Sequence, residues 1–259
     1  MLCENVTSAE NQQERHLSNI YLNESSETTR QIPLMDYQLA TLIGLLFTDG
    51  CVSPRGKSYR IYFGVTSKAL TLIFRDCIQS VFNLPSSKIR LTKRNEFYVA
   101  VVDSKEIGNY LVHRFGTFRT LKYDSGETSA KLPVEELISS GCVPYFLRAA
   151  FSCDGGLCLY PVKTMRGKKV VNWLNRNVFL ACSHKRLRDD FMILINHLGI
   201  KATNSITDKK IKISSKSEII RFARQIGFLH GVEVTNHSLI WRKCTKVQVL
   251  SEMISSYKR

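Results

Sequence analysis

The chain has 259 residues, 44% of them hydrophobic, and carries 37 Lys and Arg against 22 Asp and Glu, a formal charge of +15 at pH 7. That length can bury one large core or two smaller ones, and no apolar run is long enough to form a membrane-spanning helix. Composition is otherwise that of a globular domain. The positive surplus therefore points to a phosphate-bearing partner, the alternative being an ordinary solvated basic surface.

Residues 1–33 are rich in Ser, Thr, Asn, Gln and Glu and read as a polar, disordered leader. They hold five acids (Glu4, Glu10, Glu14, Glu24, Glu27) and two bases (Arg15, Arg30), so the remainder sets 35 bases against 17 acids. The leader has no apolar signal core, and its acids argue against a transit peptide. Eight cysteines are scattered without the paired spacing of a zinc site. Cys77, Cys142 and Cys182 sit in apolar runs as small core residues. A reducing compartment is expected: a prokaryotic cytoplasm or nucleoid, or an organelle matrix, without secretion.

Residues 34–119 read as a first half. Asp36 can cap a helix that ends in Leu42-Ile43-Gly44-Leu45-Leu46-Phe47-Thr48-Asp49-Gly50. From Leu39 to Phe47 only Thr41 and Gly44 are not large apolar residues or Ala, so little of this helix can face water. Ala40 and Gly44 form a small strip where another backbone can approach, and Gly50 is expected to supply a turn. Asp49 falls at the negative end of the helix dipole, a poor place for a carboxylate unless a cation is there. A hairpin follows around Pro54-Arg55-Gly56-Lys57, with Ile61, Phe63 and Val65 facing the core and Arg60, Tyr62 and Gly64 facing out. Lys68 to Asn83 reads as a helix. Lys88 to Asp103 reads as a second hairpin, with Ile89 and Leu91 inward, Lys88, Arg90 and Thr92 outward, and Lys93-Arg94-Asn95 as the turn. Ser104 caps a helix to about Phe115.

Residues 120–143 read as a linker containing a short helix from near Pro133, and residues 144–259 as a second half that repeats the first. Leu147-Arg148-Ala149-Ala150-Phe151-Ser152-Cys153-Asp154-Gly155 aligns with the first signature stretch at a spacing of 105 residues. Leu157–Tyr160 and Val170–Cys182 are expected as strands around a basic loop, Lys163-Thr164-Met165-Arg166-Gly167-Lys168-Lys169. A helix over Leu187 to Leu198, a hairpin (Thr203–Thr207, Lys210–Ser214) and a helix opening at Ser217-Glu218-Ile219 complete the repeat. A last helical stripe is Val247, Leu250, Met253 and Ile254. One Asp-Gly after an apolar run is an ordinary turn. Two, with small residues at the matching site, suggest that the helices pack on each other and bring both acids together, which is stable only with a metal or with one acid protonated.

Both stretches resemble the signature helix of the LAGLIDADG homing endonucleases. The first matches in Leu42, Gly44, Leu45, Asp49 and Gly50. The second resembles the aromatic-Leu-Arg-Gly-x-Phe variant of second repeats, with Ala149 for Gly and Ser152 for Asp; Phe47 likewise replaces the family's first acid. The resemblance implies an α+β fold of two pseudo-symmetric αββαββα halves, whose antiparallel sheets form a concave DNA-binding saddle. It implies a monomeric, Mg²⁺-dependent endonuclease, with Mn²⁺ able to substitute, that hydrolyses both strands of a long double-stranded DNA site and leaves short 3′ overhangs. No flanking splicing sequence is visible, so a free-standing, intron-encoded enzyme is expected. The alternatives are an RNA maturase acting on its own intron and a non-catalytic DNA-binding regulator on the same fold.

The residues expected to do this are assigned accordingly. Asp49 and Asp154, with the backbone of Gly50 and Gly155, would hold metal. A lysine from each half supports the transition state in the family; repeat alignment offers Lys131 and Lys246, with Lys122 and Lys243 as rivals. DNA contacts are expected from Arg55, Lys57, Arg60, Tyr62, Lys88, Arg90, Lys93 and Arg94 in the first half. Lys163, Arg166, Lys168, Arg176, Lys210 and Lys212 are their counterparts in the second. Tyr59 and Trp173 are further stacking candidates, against the commoner role of aromatics in strand packing.

Overall fold

The computed structural model describes residues 33–120, 130–166, 169–235, 238 and 240–257. The leader other than Pro33, the Ser125–Ser129 part of the linker, and the basic residues Lys122 and Lys168 lie outside the described residues. Residues from Pro33 onward form one compact unit.

Helix α1 (Tyr37–Asp49) starts where Asp36 accepts hydrogen bonds from the Gln38 and Leu39 amides, and every residue from Leu39 to Phe47 is buried. Strands β1 (Gly50–Arg55) and β2 (Ser58–Val65) form the first hairpin, with Gly56 in the left-handed region at the turn. Helix α2 (Lys68–Phe82) is capped by Ser67 and ends at Asn83 in a left-handed conformation. Strands β3 (Ile89–Arg94) and β4 (Phe97–Asp103) follow, then helix α3 (Lys105–Phe115), capped by Ser104. A short helix α4 (Val134–Ser139) leads to α5 (Val143–Cys153), which has Pro144 in its first turn. The second set is β5 (Gly155–Arg166), β6 (Lys169–Ala181), α6 (Lys185–His197), β7 (Thr203–Ser205), β8 (Lys210–Ile213) and α7 (Lys216–Gln225). Helix α8 (Lys246–Ser255) opens on a capping box in which Thr245 and Gln248 satisfy each other's backbone.

The two sheets share one topology. Their strand orders are β1-β2-β4-β3 and β5-β6-β8-β7, antiparallel throughout. Alternation decides which face is covered. Val52, Ile61, Phe63, Ala100 and Val102 are buried on one face of the first sheet, and Leu159, Val178, Leu180, Ile211 and Ile213 on one face of the second. Tyr62, Tyr160 and Trp173 are exposed on the opposite faces.

The halves meet through α1 and α5. Tyr37 and Tyr145, near the two N-termini, have ring centroids 5.8 Å apart. Midway, a Cβ on Gly44 would lie 2.6 Å from the Phe146 carbonyl oxygen and 2.8 Å from Ala149 Cβ. Glycine is therefore required for the contact. The helices run side by side in the same sense, so both C-termini arrive at one place.

Several expectations need correction. Gly50 makes no left-handed turn; its backbone is extended (φ −110°). Its lack of a side chain serves close packing, since a Cβ would meet Leu46 Cα at 2.7 Å, and one on Gly155 would meet the Phe151 carbonyl oxygen at 2.3 Å. Leu91 is 41% exposed rather than inward, because it lies on edge strand β3 beyond the cover that buries Ile89. The β3–β4 turn is Asn95-Glu96, with Lys93 and Arg94 still in the strand. The expected basic loop is mostly an extension of the hairpin: β5 runs to Arg166 and pairs with Lys169. Its β-branched residues (Val162, Thr164, Val170, Val171) favour strand over loop. Helix α7 is capped by Ser215, two residues before the expected opening.

Candidate functional site

Asp49 closes α1 and Asp154 follows the last residue of α5. Two parallel helices thus bring two negative dipole ends and two carboxylates to one point. A cleft of about 190 Å³ opens there, lined by Asp49, Ser152, Cys153, Asp154 and Lys246, with Phe97 and Glu233 among the flanking residues. The Asp49 carboxyl is held above its ordinary range by burial, opposed by a hydrogen bond with Cys153 and by Lys246. Asp154 is pushed up to about 7, first by burial and then by the charge of Asp49, with Lys246 opposing. The Asp154 residue as a whole is open to solvent while its carboxyl is crowded from the protein side, so water screens part of this rise. The Cys153 thiol responds to both acids and is raised well above its ordinary value by burial and by their charges.

Lys246 answers the accumulated negative charge. It is only 6% exposed, and its ammonium donates to the carbonyls of Ser152 (2.7 Å) and Gly155 (2.6 Å). It therefore caps the last turn of α5 from the side. Desolvation lowers its pKa to about 8, against the raising effect of Cys153, Asp154 and Asp49. The Gly155 carbonyl, expected to help hold metal, is engaged by this ammonium.

The positions where the family pattern has a further acid are core positions. Phe47 is 2% exposed and packs edge-on against Phe118, with centroids 5.0 Å apart. Ser152 is 1% exposed, donates to the Arg148 carbonyl and accepts from the Leu229 amide. Neither offers a charge to the cleft. Sequence reasoning passed over Cys153 and Ser152 as site neighbours; their signal was adjacency to Asp154 inside the repeated stretch.

The two lysine candidates separate. Lys246 lines the cleft, whereas Lys131 is exposed, lies before α4 and is not among the cleft residues. The rival Lys243 is exposed. The DNA-contact candidates divide too. Arg55 and Lys57 are exposed at the β1–β2 turn, Lys93 and Arg94 are exposed on β3, and Lys88 is exposed in a short 3₁₀ turn before it. Arg60 and Arg90 both pair with Asp103. Lys210 lies over the Phe179 ring at 4.5 Å, and Lys212 pairs with Asp208. Arg176 is misassigned: it shares strand parity with buried Val178 and Leu180, so it points to the covered face. There it bonds Ser256 Oγ (2.8 Å) and the Ser256 carbonyl (2.9 Å) and stacks over Tyr257. Lys163 pairs across from Asn172 with the parity of Leu159, and is exposed only because the hairpin projects beyond its cover. Tyr59 packs against Gly108, while Trp173 remains 46% exposed.

Among the described residues no cluster of three or more His, Cys, Asp or Glu could hold a metal. The donor set nevertheless fits a hard divalent cation. Two carboxylates on one cleft, one of them raised to about 7 by burial and then by the other's charge, suit a cation between them, and Mg²⁺ needs few protein ligands because it keeps water or takes phosphate oxygens.

Residues 141–227 match the family model for a LAGLIDADG-like domain. The whole fold is that of the LAGLIDADG meganucleases. The meganuclease I-SmaMI bound to uncleavable DNA is 14% identical, with 87% of this chain and 90% of that chain covered and a TM-score of 0.50. The LAGLIDADG meganuclease I-AabMI bound to uncleaved DNA is 10% identical, with 86% and 91% covered and a TM-score of 0.51. The homing endonuclease I-DmoI in complex with DNA and Mn is also similar, at 17% identity, 73% and 96% covered and a TM-score of 0.45. No curated protein matches the chain. The two repeated stretches of the sequence form the ends of α1 and α5, where Asp49 and Asp154 stand.

Proposed function

We propose that this chain is a site-specific endonuclease that hydrolyses both strands of a long double-stranded DNA site with a divalent metal. The carrying observation is the convergence of Asp49 and Asp154, from matched helices of two halves, on one cleft. Its support is the fold shared with meganucleases bound to DNA and the charge excess of residues 34–259. Asp49 and Asp154 would hold the metal, Mg²⁺ in the expected case with Mn²⁺ substituting, and when bound it would supply charge stabilisation at a phosphate oxygen and lower the pKa of the attacking water.

The protein's own residues do the rest. The exposed sheet faces lie along the duplex, and Arg55, Lys57, Lys93 and Arg94 neutralise phosphates and set register. Lys246 fixes the end of α5, and so the direction of the Asp154 carboxylate. Water displaces the 3′ oxygen at phosphorus on each strand. One acid from each half gives each scissile phosphate its own carboxylate, and both cuts come from a monomer. The finer reading is short 3′ overhangs and a free-standing, intron-encoded enzyme of a reducing compartment.

The test is incubation of the full chain with a randomised duplex library and Mg²⁺, followed by sequencing of cleaved ends. A single family of related long sites with 3′ overhangs is expected, lost with Asp49→Asn or Asp154→Asn while binding persists. Binding without cutting would favour a regulator, and binding of intron RNA in its place a maturase.

A further inference from the structure

The exposed face of the first sheet carries an acid where a surface built only for phosphate affinity would have none. Asp103, at the end of β4, stands directly opposite Arg60 on β2. Arg60 Nε donates to Asp103 Oδ1 at 2.8 Å and Arg60 Nη2 to Oδ2 at 3.0 Å. Arg90 Nη2, on the edge strand β3, donates to the same Oδ2 at 2.5 Å. One carboxylate thus spans three adjacent strands. The side chains of Arg60, Asp103 and Arg90 are 30%, 34% and 59% exposed, so the cluster is wet and its stabilising effect on the fold is small. Placed against a polyanion, Asp103 costs affinity. What it provides is order.

A guanidinium has five N–H donors in a rigid fork. Arg60 uses its Nε edge for Asp103, which leaves the outer Nη1–Nη2 edge free and fixed in plane. Arg90 gives up one donor and keeps the rest. An arginine held this way has already lost the rotamer freedom that bidentate contact with a base edge would otherwise remove. Guanine O6 and N7 in the major groove are the partners that such a fork fits, and strands can enter that groove. We propose that Asp103 is a specificity-determining residue, presetting Arg60 and Arg90 to read guanine edges in the half-site beneath the first sheet. This rests on the reading that the chain binds duplex DNA through its open sheet faces.

The cluster also has a position. Arg60 pairs with Ser53, three residues along β1 from Gly50 at the cleft. That is roughly 10 Å of strand, or about three base-pair steps. The second sheet is built differently: Lys210 and Lys212 lie on an aromatic ring and beside Asp208, Lys169 is exposed at the far end of the hairpin, and no Arg–Asp–Arg cluster occurs there among the described residues. The guanine preference therefore belongs to one half-site only.

The experiment is selection of bound duplexes from a random library, with the full chain in Ca²⁺ to separate binding from cutting, for wild type, Asp103→Asn and Arg90→Gln. Wild type is expected to enrich guanine at one or two positions in one half-site. Asp103→Asn should cut that preference roughly tenfold to a hundredfold, leave the other half-site unchanged, and hold or tighten non-specific binding with a steeper salt dependence. Arg90→Gln should lose one guanine position and weaken binding. Retention of the full guanine preference by Asp103→Asn, or an equal loss in both half-sites, would overturn the proposal. A wild-type pool with no enriched duplex motif would overturn the DNA-binding reading and this proposal with it.

Discussion

Lys246→Met isolates the ammonium, because methionine keeps most of the unbranched stem. Lys246 is 6% exposed, and its bonds to the Ser152 and Gly155 carbonyls are 2.7 and 2.6 Å long. Removing it leaves two buried acceptors short of a donor, at about 1–3 kcal/mol each. It also removes the cation that lowers the pKa of both Asp49 and Asp154. The two carbonyl bonds are together worth about 2–6 kcal/mol, offset in part at pH 7 by the cost of burying the charge, which the lysine's lowered pKa records. The pH dependence gives a second readout. The native lysine has a pKa of about 8, below its ordinary 10.5. Between those values the unfolded chain binds a proton that the native state has released, so wild-type stability from this group rises with pH in that window. The mutant lacks this rise, so the stability gap should widen by about 1 kcal/mol between pH 7 and 9. Urea denaturation of both proteins in chelator, at a series of pH values, measures it. A gap that does not change between pH 7 and 9 would refute the assignment of a buried capping lysine.

Other substitutions probe other joints. Asp154→Asn in chelator at pH 8 should raise stability by about 1 kcal/mol after solvent screening, because a carboxyl at about 7 against an ordinary 3.8 contributes stability below 3.8 that is lost as pH rises through 7. Divalent metal should erase this advantage by stabilising only the wild type, which thermal shift with and without Ca²⁺ would read. Gly44→Val should destabilise by about 2 kcal/mol or more, since even its Cβ would sit 2.6 Å from the Phe146 carbonyl oxygen; denaturation midpoints check this. Arg176→Ala should lower stability through its lost bonds to Ser256 without changing the salt slope of DNA binding. Lys210→Ala and Lys212→Ala should each reduce that slope by about 1.

Most of the fold was legible because its two periodicities are strong. Leu39 to Phe47 is apolar on every side, and Ile61, Phe63 and Val65 alternate cleanly, so one could only be a buried helix and the other a half-buried strand. The repeat made Asp154 readable from Asp49. Failures came where tertiary context decides. Leu91 alternates correctly but sits on an edge without cover. Arg176 looks like an exposed strand arginine, yet the C-terminus of α8 supplies its partners, and no local pattern announces that. Counting along the repeat matches Lys131 to Lys246. The connections before α4 and α8 differ, however, and only α8 begins with a lysine that can reach the end of α5. The extra strand length of β5 and β6 is hidden by the Lys- and Gly-rich composition of the stretch from Lys163 to Lys169.

The central claim is that two carboxylates, one from each half, share a metal-holding centre. Anomalous diffraction from crystals of the full chain with Mn²⁺ and a selected DNA site would test it most directly. The account predicts manganese peaks in contact with carboxylate oxygens of both Asp49 and Asp154, beside the scissile phosphates. Peaks elsewhere in the complex, or metal touching neither aspartate while the DNA is cut, would contradict it.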